Sequence, residues 1–116
     1  MGMRQEKFAR QIQKDLGELL SAHRHEWLTG AFVTISKVVV SPDLGYLKVY
    51  LSLYNNQNRL AILEHLNGEI NKEIRHKLAQ KIRNSVRTVP EVRFYEDDTL
   101  DYVEKMEELF RKIKDQ

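Results

Sequence analysis

The stretch KEIRHKLAQKIRNSVRTVPEVRFYEDDTL, running from Lys72 to Leu100, changes its hydrophobic period partway along. Ile74, Leu78 and Ile82 recur every fourth residue, which is one face of a helix. After Pro90, Val92 and Phe94 alternate as the inward positions of a strand, expected over Val89–Tyr95. Pro90 donates no backbone hydrogen bond, which places it at the edge or the start of that strand. The charge changes sign at the same point. From Asn71 to Arg87 there are six Lys/Arg (Lys72, Arg75, Lys77, Lys81, Arg83, Arg87) against Glu73 alone; from Thr88 to Gln116 there are nine Asp/Glu against five Lys/Arg. Local charge is therefore +5 and then −4. Glu96-Asp97-Asp98 load the start of a last helix with negative charge. Asp97 or Asp98 serves as its cap, and Leu100, Val103, Met106, Phe110 and Ile113 form its apolar face.

Upstream, the helical stripe continues backwards through Ile70, Leu66 and Ile62/Leu63, interrupted at Leu66-Asn67-Gly68, where the glycine marks a kink between two helices. Asn58, at the end of a polar loop, is the expected cap. Before that loop, Leu47, Val49, Leu51 and Leu53 alternate with Tyr46, Lys48, Tyr50, Ser52 and Tyr54, the pattern of a strand with one packed and one free face. The preceding strand changes parity between Val33/Ile35 and Val38/Val40, and a β-bulge near Ser36-Lys37 reconciles the two. Ser41–Gly45 is the hairpin connection. Residues 4–23 form a first helix with Phe8, Ile12, Leu16, Leu19 and Leu20 on one face. Within it Gly17 is expected to permit close packing, and His23, Arg24 and His25 sit at its C-terminal end. The order is α-β-β-α-kink-α-β with an added C-terminal helix: an α+β chain with a three-stranded sheet covered by helices on one face.

At 116 residues the chain is read as a single domain, 1–116, with its core over about 4–97 and a C-terminal helix over about 98–114. Cysteine is absent, which excludes a disulfide framework and thiolate chemistry. No apolar run reaches the eighteen or so residues of a membrane span, and no stretch of signal-peptide type opens the chain. With a net charge of only +2, a polyanion-binding face must come from how charge is distributed.

Catalytic residues are not expected. His23-x-His25 falls at a helix end, where the two rings point apart, and a metal site needs three or four converging ligands. No serine sits in a glycine-flanked elbow, and there is no P-loop or GxGxxG. Asp97, Asp98 and Asp101 are better explained as helix-capping acids than as a metal cluster. A hydrolase built on Asp97, Asp98 and His76 is set aside. Nucleic-acid binding has more support. The helix that buries Ile74, Leu78 and Ile82 leaves Lys72, Arg75, Lys77, Lys81, Arg83 and Arg87 to meet phosphates, without the i,i+4 acids that usually balance a solvated face. Tyr46, Tyr50 and Tyr54 offer faces for base stacking, though β-propensity alone also places tyrosines in strands.

Four blocks of residues, taken in order, resemble the ribosome-binding factor A family of bacteria. They are Thr34-Ile35-x-x-Val38-x-Val40-Ser41-Pro42-Asp43-Leu44, Lys48-Val49-Tyr50-Leu51-Ser52, Ile74-Arg75-x-x-Leu78, and Val86-Arg87-x-Val89-Pro90-Glu91-Val92-x-Phe94-x-x-Asp97-x-Thr99-Leu100. The similarity runs from about Arg4 to Leu109. It implies a KH-like type II fold. It implies a non-enzymatic factor that binds the free 30S ribosomal subunit and 16S rRNA, assists late 16S rRNA maturation and is linked to growth in the cold. Such a protein is cytoplasmic, a monomer when free, and has no cofactor, metal, membrane or small-molecule substrate. The family replaces the Gly-x-x-Gly clamp of ordinary KH domains with an Ala-x-Gly kink; Leu66-Asn67-Gly68 stands there, with Leu in place of Ala. The competing reading is a protein-interaction adaptor that uses the acidic helix 98–114 or the exposed sheet face.

Overall fold

The structure is a computed structural model and describes residues 2–53, 58–84 and 88–97. Its elements are α1 (Met3–Ala22), α2 (Arg24–Trp27), β1 (Thr34–Val40), β2 (Tyr46–Ser52), α3 (Arg59–Asn67), α4 (Asn71–Ile82) and β3 (Glu91–Glu96). The sheet order is β1-β2-β3; β1 runs antiparallel to β2, and β3 runs parallel to it. This is the expected α+β arrangement, a KH-like type II order with helices on one face of three strands. The expected C-terminal helix lies outside the described residues, as do Tyr54, Arg87, Asp98 and Asp101.

The alternation in β2 decides which sheet face is covered. Leu47, Val49 and Leu51 have no exposed surface, whereas Tyr46, Lys48, Tyr50 and Ser52 reach the open face. The helices meet the covered face with Phe8, Ile12, Leu16 and Leu20 of α1, Ile62 and Leu66 of α3, and Ile74, Leu78 and Ile82 of α4. β3 adds Val92 and Phe94. Among the described residues no polar or charged side chain is buried, so this core is held by apolar burial.

The parity change in β1 is resolved by a bulge. The register with β2 shifts between Ile35 and Lys37, leaving Ser36 as the extra residue. Its hydroxyl donates to Asp97 Oδ2 at 2.6 Å and also reaches the Tyr50 carbonyl at 3.1 Å, tying β1 to the end of β3. In the hairpin, the left-handed position falls on Leu44 (φ 60°) and not on Gly45. The cost of a non-glycine residue there, roughly 1–2 kcal/mol, is offset by burying the Leu44 side chain. Asp43 Oδ1 fixes the turn by accepting from the Ser41 hydroxyl at 2.7 Å and the Gly45 N–H at 2.9 Å. These bonds, the Ser41 one foremost, hold the Asp43 carboxyl below its ordinary pKa. Their contribution is therefore complete above about pH 4 and is lost as pH falls through the lowered folded value.

Three expectations need correction. First, α1 ends at Ala22, and its last turn carries no basic residue. Burial of Trp27 and Leu28 draws the chain back, so Arg24 and His25 belong to the separate turn α2 and the His23 ring stacks on Trp27 at 4.2 Å. Second, Asn58 takes the cap position of α3 without a side-chain cap bond; the helix opens on the Asn58 carbonyl, which accepts from Ile62 N–H at 2.9 Å. Third, Gly17 does not serve close packing, since a Cβ there would meet only Ile35 Cδ1 at 4.0 Å.

Gly17, inside α1, and Gly68, at the C-cap of α3, therefore differ. A Cβ on Gly68 would lie 2.8 Å from the Glu64 carbonyl oxygen, which belongs to the backbone and cannot easily yield. Gly17→Ala is expected to stabilise the chain by about 0.5–1 kcal/mol, and Gly68→Ala to destabilise it by about 1–3 kcal/mol. Thermal or urea melts of the two variants would show midpoints moving in opposite directions; a neutral Gly68→Ala would refute the close approach.

Candidate nucleic-acid interface

β3 is an edge strand that approaches after a long helical crossover. Its odd-numbered residues bond inward to β2: Glu91 N–H donates to Gly45 O at 3.0 Å, and Asp97 N–H to Leu51 O at 2.8 Å. Alternation then turns the backbone groups of Val92 and Phe94 outward. Side chains from the α3–α4 junction meet them. Asn67 Oδ1 accepts from Phe94 N–H at 2.8 Å, and Asn67 Nδ2 donates to Phe94 O at 2.9 Å. Asn71 Nδ2 donates to Val92 O at 3.1 Å and to Leu66 O at 3.0 Å. Arg75 Nε donates to Pro90 O at 3.1 Å, with a longer 3.5 Å approach to Val89 O. Residues 67, 71 and 75 thus descend β3 as one polar stripe at helical spacing.

The three kink residues each have a structural task. Leu66 is fully buried, Asn67 pairs with the β3 edge, and Gly68 admits the Glu64 carbonyl. α3 ends at Asn67, and α4 starts at Asn71.

The basic residues of α4 do not form one row. At about 100° per residue, Lys72, Arg75 and Arg83 fall on one side of the buried stripe and Lys77 and Lys81 on the other. Arg75 is half-buried and committed to the lead-in of β3. Lys81 Nζ lies 3.3 Å from Glu18 Oε2 of α1, so its balancing acid comes from another helix. Both partners are well exposed, and such pairs contribute about 0–1 kcal/mol. Lys72, Lys77 and Arg83 have no partner among the described residues, and Arg87 lies outside them. His76 approaches Gln80 at 3.5 Å on the solvent face. Among the described residues no group of three or more His, Cys, Asp or Glu converges on a metal position, and no helix is long and apolar enough to cross a membrane.

On the open sheet face, Tyr50 and Tyr95 pair in register and stack at 5.4 Å and 27°. Lys37 Nζ sits 4.6 Å from the centre of the Tyr50 ring. The Tyr46 and Tyr95 hydroxyls are 3.5 Å apart, and this contact, followed by burial, raises the Tyr46 pKa. Both Asn67 and Tyr95 escape a reading based on periodicity. Asn67 bonds a backbone 27 residues away, and Tyr95 joins Tyr50 only through the parallel register.

A small α+β fold with a helical break packed on a strand edge, a basic helix beside it and an uncovered sheet face is that of a KH-like binding module. The chain belongs to the ribosome-binding factor A family, whose model matches residues 4–110. It is 36% identical over 111 residues to ribosome-binding factor A of Cytophaga hutchinsonii, covering 96% of this chain and 83% of that one. The solution structure of a Thermotoga maritima protein described as a putative ribosome binding factor A superposes with a TM-score of 0.62 at 34% identity, over 84% of this chain and 90% of that one. Thermus thermophilus ribosome binding factor A, as a homology model fitted into a cryo-EM map of a 30S complex, superposes with a TM-score of 0.57 at 22% identity, over 77% and 90%.

If the polar stripe closes the edge of β3, Asn67→Ala leaves a donor and an acceptor of Phe94 unpaired and costs about 1–3 kcal/mol. Hydrogen exchange at the Phe94 amide should accelerate more than at other β3 amides. Lys72→Ala and Arg83→Ala, outside the stripe, should stay within about 0.5 kcal/mol of the parent. Unchanged Phe94 protection in Asn67→Ala would contradict the assignment.

Proposed function

We propose that this chain is a non-enzymatic assembly factor that binds the free 30S subunit through 16S rRNA, assists late 16S rRNA maturation and supports growth in the cold. It acts in the cytoplasm and is a monomer when free. Family membership supports the ribosomal role, as does the Thermus thermophilus relative fitted into a 30S complex. The observation that carries the RNA contact is what structural duty leaves over: Lys72 and Lys77 of α4 and Arg83 at its C-cap have no partner among the described residues. Phosphate contacts need cations that are not already neutralised by a neighbouring acid, and the chain's net charge of +2 supplies no general attraction. Lys81 joins this set once Glu18 yields, because an exposed pair of this kind is weak. Arg75 contributes mainly by holding the strand beside the helix.

The test is equilibrium binding to purified small subunits as a function of salt. Changing Lys72, Lys77 and Arg83 to Glu together should weaken binding at least tenfold and reduce the log–log salt slope by about one unit per lost phosphate contact. Melting curves confirm that the variant is folded. Unchanged affinity in a folded variant would remove α4 from the interface. Co-migration of the parent with 70S particles, and not with free 30S, would reject the maturation role.

A further inference from the structure

The open face of the sheet has no part in the core, and its composition is uneven. The register sets Lys37, Tyr50 and Tyr95 in one row across the three strands, Val39, Lys48 and Arg93 in the next, and Tyr46 beside Glu91 beyond them. An aromatic row thus lies directly against a row with two cations. Val39 is the only large hydrophobic residue on these rows that is exposed, so the face lacks the apolar centre of a protein-docking patch. Glu91 is the one acid on the rows; Asp97, past the end of β3, accepts a hydrogen bond from Ser36. At the β3 side the face continues over the strand into a depression of about 370 Å³ lined by Tyr46, Asn71, Arg75, Glu91, Val92 and Arg93, which leads to α4.

We propose that this open sheet face is a second RNA contact, one that takes an unpaired segment by stacking its bases on Tyr50 and Tyr95 while Lys48 and Arg93 meet its phosphates. The proposal rests on the RNA-binding reading given above and assigns it a surface that the α4 helix does not supply. Bases stack on aromatic rings without sequence preference, and a flanking line of cations follows the backbone. The pair Tyr50–Tyr95, already stacked at 5.4 Å, leaves the outer face of each ring for a base to extend the stack. Lys37 Nζ rests over the Tyr50 ring, where a base would lie. Displaced by the base, this ammonium becomes a further phosphate partner. A duplex presents no free base faces and should bind here far less well.

The experiment uses the full chain, an unpaired ribo-oligonucleotide of about ten nucleotides, in the size range of such sites, and a duplex of the same sequence. Tyr50→Thr and Tyr95→Thr keep a residue suited to a strand. Each should weaken oligonucleotide binding about tenfold with the salt slope unchanged, because stacking releases no counterions. Lys48→Thr and Arg93→Thr should instead lower the slope by about 0.7 of a unit each. The ring resonances of Tyr50 and Tyr95 should shift on adding the oligonucleotide. Parent-like affinity in a folded Tyr50→Thr/Tyr95→Thr variant overturns the proposal, even where α4 still anchors the chain to the small subunit. Preference for the duplex also overturns it. So does a tyrosine variant that loses subunit binding while the parent fails to bind the oligonucleotide, because the face then docks on protein. Loss of oligonucleotide binding in the tyrosine variants, with subunit binding indifferent to α4 charge reversal, supports this face and rejects the α4 reading.

Discussion

The paired hydrogen bonds between the Asn67 amide and the Phe94 backbone hold together the two halves of the chain that sequence order keeps apart. β1 and β2 form a hairpin and find each other locally. β3 returns to the sheet only after two helices and lies at its edge, so the backbone groups of Val92 and Phe94 would face away from any strand. Leaving such groups unpaired beneath a helix costs roughly as much as a lost hydrogen bond each. The side chains of Asn67, Asn71 and Arg75 stand in for a fourth strand. The opposite edge is treated in the same way: Gln5 Nε2 donates to the Val40 carbonyl at 2.8 Å and Gln13 Nε2 to the Ile35 carbonyl at 3.0 Å, both from α1. A three-stranded sheet with both edges engaged by helix side chains offers little template for further strand pairing.

This edge closure fixes the place of the helical break. Asn67 must reach Phe94 while Leu66, the preceding residue, fills the core. The chain must then turn at once so that Asn71 and Arg75 continue down the strand. The turn brings the Glu64 carbonyl so close to residue 68 that a side chain has no room. Leu66 is accommodated because the position faces the core. The kink is thus a consequence of docking a parallel edge strand.

What the sequence made legible was periodic. The β2 alternation, the bulge implied by the parity change at Ser36, the stripe from Ile62 to Ile82 and the inward pair Val92 and Phe94 all follow from apolar spacing, and all appear in the fold. What it concealed was aperiodic or long-range. The Leu44 left-handed turn depends on a buried leucine beside a glycine that looks better suited to it. The division of α4's cations was hidden because Arg75 and Lys72 are equivalent as charges; only the position of Pro90 distinguishes them. Lys81 looked unbalanced because its acid, Glu18, is 63 residues away in the chain. Tyr95 was invisible as a partner for Tyr50 without the strand order.

A helix of twelve residues, α4, serves both the fold and a surface. Successive side chains turn by about 100°, so α4 divides into a buried stripe of Ile74, Leu78 and Ile82, one margin bonded to β3 through Asn71 and Arg75, another margin against α1 through Lys81, and a remaining outward arc. Cations on the outward arc are not required for stability, while a cation on the β3 margin is held by backbone carbonyls. Arginine suits that margin because its fork reaches two carbonyls, Pro90 and Val89. A guanidinium so placed is oriented, and it lies in the depression that leads from α4 over β3 to Arg93 and Tyr46. The residue that closes the sheet edge is therefore also the one positioned where the helix surface meets the open sheet face, which makes the two surfaces continuous around the end of β3.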